Sequence, residues 1–111
     1  MQQCRITVVK KMFNPDLAAE YCQGEVGPCP CFQEGDEFVC GLEKPPGFCD
    51  WAWRDIHPFV AVLFAGGNFS HGLFEGWMKD DHTIIACCSD GIRPVVFRIE
   101  LFEKETEDAG G

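Results

Sequence analysis

Residues 83–102 read TIIACCSDGIRPVVFRIELF, two runs rich in β-branched and aromatic residues on either side of a Ser-Asp-Gly turn signal. The second run alternates, with Val95, Phe97, Ile99 and Leu101 on one side and Val96, Arg98 and Glu100 between them. That period of two is the mark of a strand with one buried face. The first run, ending in Cys87 and Cys88, is its antiparallel partner, because Asp-Gly supplies turn chemistry and a short connection joins only antiparallel strands. Gly91 is expected to take positive φ in that turn and Asp90 to accept from nearby backbone N–H groups.

Working back from this hairpin, RITVVKK at residues 5–11 alternates around Ile6 and Val8 and predicts a first strand. FNPDLAAEYC then carries a helix start, with Asn14 as N-cap, Pro15 at the first helical position and Asp16 beside the positive end of the dipole. Gly24 is expected to end that helix. DEFVC at 36–40 predicts a short second strand. Asp50 is expected to cap a second helix whose inward face is Trp53, Ile56, Val60 and Leu63, with Gly66-Gly67 as its stop. Pro58 is expected to break, kink or restart it, since proline lacks the N–H that the helix interior needs. The order β-α-β-α-β-β predicts one α+β domain over residues 1–102, with an antiparallel C-terminal hairpin, followed by an acidic, flexible tail at 103–111.

The chain has 111 residues, 46% hydrophobic, with ten phenylalanines and three tryptophans. It is long enough for its own core. So many large rings also predict a homo-oligomer, formed through the aromatic helix over residues 51–64. Nine basic against eighteen acidic residues give a net charge of −9, of which EKETED at 103–108 contributes −3. Such a balance argues against nucleic acid, whose phosphates are bound by cations, and against an anionic membrane surface. No stretch approaches the roughly 18 apolar residues of a membrane span, and MQQCRITVVKK lacks the features of a signal peptide. A cytoplasmic location is expected.

In a reducing compartment eight cysteines mean core thiols, metal ligands or nucleophiles rather than disulfides. Cys4 and Cys40 fall in or beside strands and are expected to be ordinary packed thiols. Cys29, Cys49 and the Cys87/Cys88 pair sit at loop or element ends, where functional groups gather on a scaffold. Cys49 directly precedes the second helix, whose free N–H groups point toward it and favour a negative sulfur. Side chains alternate along a strand, so Cys88 shares a face with Ile84 and Ala86 while Cys87 faces away. The expected ligands are therefore Cys29, Cys49 and Cys88, with Cys87 and Cys22 as further members. Thiolates suit an iron–sulfur cluster, zinc or copper(I), although no Cys-x-x-Cys spacing of the common zinc and ferredoxin sites is present.

The segments GPCPCFQEGDEFV, GFCDWAWRDIHPFV, GGNF and WMKDDHTIIACCSDGIRPVVFRIE resemble an uncharacterised family of small prokaryotic cysteine-containing proteins, over residues 5–102. Its motifs, C-D-W-A-W and C-C-x-D-G-x-R-P-V-x-F, include the positions of Cys29, Cys49 and Cys88, with Cys22 and Cys87 in many members. The resemblance implies a shared site without naming a reaction. SHGLFEG at 70–76 reads as an insertion relative to that family, and Cys31 stands where it has an apolar residue, so His71 and Cys31 are poor choices as shared ligands.

Three classes of function follow. The leading expectation is a small thiolate metalloprotein with an iron–sulfur cluster, zinc as the alternative metal, that handles electrons or sulfur and docks to a larger redox protein. The second is an enzyme using Cys88 or Cys49 as nucleophile or redox thiol, with Asp90 and Arg93 as catalytic helpers. The third is a structural module whose thiols fill the core or hold zinc.

Overall fold

The computed structural model describes residues 2–103. Seven elements follow in order: β1 (Gln2–Lys11), α1 (Pro15–Tyr21), β2 (Glu37–Cys40), α2 (Asp50–Phe64), a single 3-10 turn at Gly72–Phe74, β3 (Thr83–Cys87) and β4 (Val95–Glu103). The four strands form one sheet in the order β2-β1-β4-β3, every pairing antiparallel. This is the expected α+β domain with its C-terminal hairpin. The strand β4 runs one residue past the expected boundary, to Glu103; the rest of the expected acidic tail lies outside the described residues.

The two termini of the fold meet at its centre. β1 pairs with β4 from Gln2↔Glu103 to Lys11↔Val95, with Ile6 opposite Ile99 and Val8 opposite Phe97. The register shifts between Val8 and Lys10, and there Val8 exchanges backbone bonds with Gly35 and Asp36. Such a bulge bends a strand locally, and pairing with β4 resumes at Lys10. It marks where the loop between α1 and β2, which carries Cys29 and Cys31, comes back against β1 before β2 begins.

Alternation then sorts the two faces. Cys4, Ile6 and Val8 of β1, Ile84 of β3, and Val95, Phe97 and Ile99 of β4 are buried under α2. Arg5, Arg98 and Glu100 stand on the opposite face, where Glu100 accepts from both guanidinium groups. The helix lays Ala52, Ile56, Val60 and Leu63 onto the sheet, a spacing of three and four that keeps one stripe inward. Phe32, Phe48 and Phe97 stack with ring centroids 5.0–5.5 Å apart and close the end of the core nearest the loops. Trp53, expected on the same inward stripe, is only partly buried, against Phe48.

Local expectations needed correction at four places. α2 runs unbroken through Pro58: burial of four apolar side chains outweighs the lost backbone bond, a penalty of about 3 kcal/mol. Cys49, not Asp50, is the N-cap of α2. Asp50 sits one residue inside, paired with Lys44 and favoured by the helix dipole. Asn14 holds the N-cap position of α1 but makes no side-chain cap; its amide donates instead to the Gly91 carbonyl at 2.7 Å. Finally, Gly91 does not take positive φ, because Asp90 organises the turn through its carboxylate. At Gly24, by contrast, φ is +67° just past the end of α1, as its role in stopping that helix requires.

Cys4 and Cys40 face one another across β1 and β2 as free, buried thiols. The Cys4 thiol donates to the Val60 carbonyl at 3.9 Å. Burial pushes both thiols from the ordinary 9.0 up to about 11, the neighbouring Cys4 adding to the effect on Cys40. They are core thiols, as their strand positions imply.

Candidate functional site

Three separate stretches meet at the loop end of the sheet: the Gly-Pro-Cys-Pro-Cys loop, the start of α2 and the β3–β4 connection. Between them lies a cavity of about 80 Å³ walled by Cys29, Cys31, Cys49 and Cys88. Phe32, Ala52 and Val95 supply its apolar side, and Trp51, Asp90 and Arg93 its rim.

Each thiol is placed by a local feature. Pro28 and Pro30 stiffen the first loop by fixing φ, and the Cys31 N–H turns back onto the Cys29 Sγ at 3.4 Å. Cys49 adopts extended backbone (φ −66°, ψ 130°) as the N-cap of α2, so its thiol lies at the positive end of a fifteen-residue helix. Cys88 continues β3 by one more pairing: its N–H donates to the Val95 carbonyl at 3.1 Å, and its Sγ accepts from the Val95 N–H at 3.4 Å. Burial, then Cys29, then Cys49 push the Cys31 thiol up from its ordinary value.

The connection over residues 89–94 is pinned from three sides. Asp90 Oδ1 accepts from the Ile92 and Arg93 N–H groups at 2.9 and 3.2 Å. Its Oδ2 accepts from Arg93 Nε at 3.3 Å. α2 contributes Asp55, which accepts from the Ser89 N–H at 2.6 Å, and the Trp51 indole, which donates to Ser89 Oγ at 2.7 Å. From the β1–α1 link, Met12 and Asn14 donate their N–H groups to Pro94 and Ile92. Burial pushes the Asp90 carboxyl up, but the Ile92 and Arg93 N–H groups and the guanidinium outweigh it and hold it below the ordinary carboxylate range. Both its oxygens are engaged, so it is a turn anchor and a poor proton acceptor. Arg93 has Asp90 as its ion-pair partner.

Of the five cysteines expected as ligands, the fold brings Cys29, Cys49 and Cys88 to one cavity. Cys87 is exposed on the opposite face, where burial, Cys88 and Asp55 raise its thiol. Cys22 lines a neighbouring hollow of about 270 Å³, separated from the thiol cavity by Trp51, Asp90 and Arg93, which border both. Cys31 is the residue that sequence reasoning set aside. The signal that identifies it is the Cys-Pro-Cys spacing itself, since a rigid proline between two thiols holds them at one place. Among the described residues, no group of three or more His, Cys, Asp or Glu side chains is arranged to hold a metal ion as the side chains stand.

A larger hollow, about 290 Å³, lies away from the thiols between Phe59, Leu73, Phe74, Trp77, Ile84 and Ile85. It has no titratable group in its lining and offers apolar contact only. Among the described residues no helix is long and apolar enough to cross a membrane. No family model, no curated protein and no solved structure matches this chain.

Proposed function

We propose that this protein is a small thiolate metalloprotein, acting in electron or sulfur handling, with Cys29, Cys31, Cys49 and Cys88 as the ligand set. The observation that carries the reading is four cysteines from three chain segments lining one small cavity. Thiolates are soft donors and select an iron–sulfur cluster or zinc over hard cations. The positive end of α2 beside Cys49 offsets the negative charge that several thiolates accumulate. The side chains as they stand among the described residues form no metal-holding group, so metal binding requires them to rearrange. An iron–sulfur cluster is the first choice and zinc the alternative.

A cytoplasmic location, a larger redox protein as docking partner and membership in the small cysteine-protein family belong to the same proposal. So does self-association: Trp51, Val62 and Phe64 of α2 are exposed, which leaves apolar surface on the expected interface helix.

The test is the metal content of protein purified without oxygen. Iron with acid-labile sulfide is the expected result, lost in Cys29→Ser and Cys49→Ser and retained in Cys4→Ser. Zinc in place of iron selects the alternative metal. Protein that carries neither, and takes up neither when reconstituted, contradicts the proposal.

A further inference from the structure

The thiol cavity also has a chemistry that needs no metal. Cys31 is exposed and lines the same cavity of about 80 Å³ as Cys49, a half-buried residue eighteen positions along the chain. One accessible thiol against one sheltered thiol from another segment is the arrangement by which dithiols exchange with external disulfides.

We propose that metal-free protein is a dithiol–disulfide couple in which Cys31 attacks a small-molecule disulfide and Cys49 resolves the product. In the first step the Cys31 thiolate forms a bond to one sulfur of the small disulfide. The sulfur–sulfur bond of that molecule breaks, and its other half leaves as a thiolate that takes up a proton. In the second step the Cys49 thiolate attacks Cys31 Sγ, forms the Cys31–Cys49 disulfide and expels the second half as a thiol. Two protein thiols are thus oxidised by two electrons, and one small disulfide is reduced to two thiols.

Cys29 is the weaker partner although it touches Cys31. Its Sγ accepts the Cys31 backbone N–H, and only Pro30 separates the two residues, so a bond between them would have to close a very small ring against a fixed φ. Cys4 and Cys40, the other facing pair, are shut off from solvent.

The experiment uses the full-length chain, stripped with a chelator and equilibrated without oxygen in mixtures of oxidised and reduced glutathione. Peptide mapping by mass spectrometry is expected to find one internal disulfide, Cys31–Cys49. Cys49→Ser should instead trap glutathione on Cys31, and Cys31→Ser should form no internal bond at this site. Circular dichroism checks that each variant is folded, and the wild-type map stands without them. An internal bond between Cys29 and Cys31, or no internal bond at any glutathione ratio, would overturn the proposal. Since the metal has been removed, these outcomes are independent of whether the site also holds iron or zinc.

Discussion

At the scale of single residues, the eight cysteines divide by what surrounds each sulfur. Cys4 and Cys40 have carbonyl and apolar neighbours and no access to solvent, and their thiols titrate at about 11 instead of 9.0. The folded state keeps its protons where the unfolded chain has already lost them. Stability from these groups is therefore fully present below pH 9 and lost as pH rises from 9 to 11, by roughly 2–3 kcal/mol per thiol. Urea denaturation at pH 8 and pH 11 measures this. The midpoint should fall at the higher pH, and it should fall less in Cys40→Val; equal falls in both proteins would mean that other groups carry the dependence. The identity of these two as packed thiols was legible in their strand positions, and so was the outward turn of Cys87, because alternation along a strand is strict. Cys31 was only partly legible: the Cys-Pro-Cys spacing sets it beside Cys29, but its place near Cys49, eighteen residues further along the chain, depends on where the proline-stiffened loop lands against the start of α2. The turn role of Asp90 was legible from Asp-Gly, but the φ of Gly91 was not, since the carboxylate shapes that turn without left-handed backbone.

At the scale of elements, the helix α2 does two jobs with two faces. Ala52, Ile56, Val60 and Leu63 are spent on the sheet, while Cys49, Trp51 and Asp55 at its N-terminal end hold the thiol cavity and the 89–94 connection. The inward stripe was readable from its spacing. The passage of α2 through Pro58 was not, because local backbone preference argues for a break and burial decides otherwise. The sheet order was likewise beyond sequence: the alternation identifies the strands but says nothing of β1 pairing with both β2 and β4. Exposed Val62 and Phe64 give α2 its remaining apolar surface, and the proposed self-association is tested there. Light scattering at micromolar concentration should give a mass above that of one chain, and Val62→Glu should return it toward the monomer. A monomeric mass for the unaltered protein rules this association out.

At the scale of the whole molecule, the fold is a two-layer scaffold that delivers three distant chain segments to one end. The β3–β4 hairpin brings Cys88, the start of α2 brings Cys49, and the loop between α1 and β2 brings Cys29 and Cys31. Leu73 at 90% and Trp77 at 67% exposure line the apolar hollow with Phe59, Phe74, Ile84 and Ile85, a set that shares no residue with the thiol cavity. The net charge of −9 keeps such a surface soluble. The central claim is that Cys29, Cys31, Cys49 and Cys88 act as one ligand set, and that Cys22 and Cys87 stand outside it. Alkylation of all cysteines, mapped by mass spectrometry with and without bound metal, tests this most directly. Bound metal should protect those four thiols together, while Cys22 and Cys87 are modified equally in both states. Protection of Cys22 or Cys87, or unchanged alkylation of Cys31 and Cys49 in protein shown to hold metal, would contradict it.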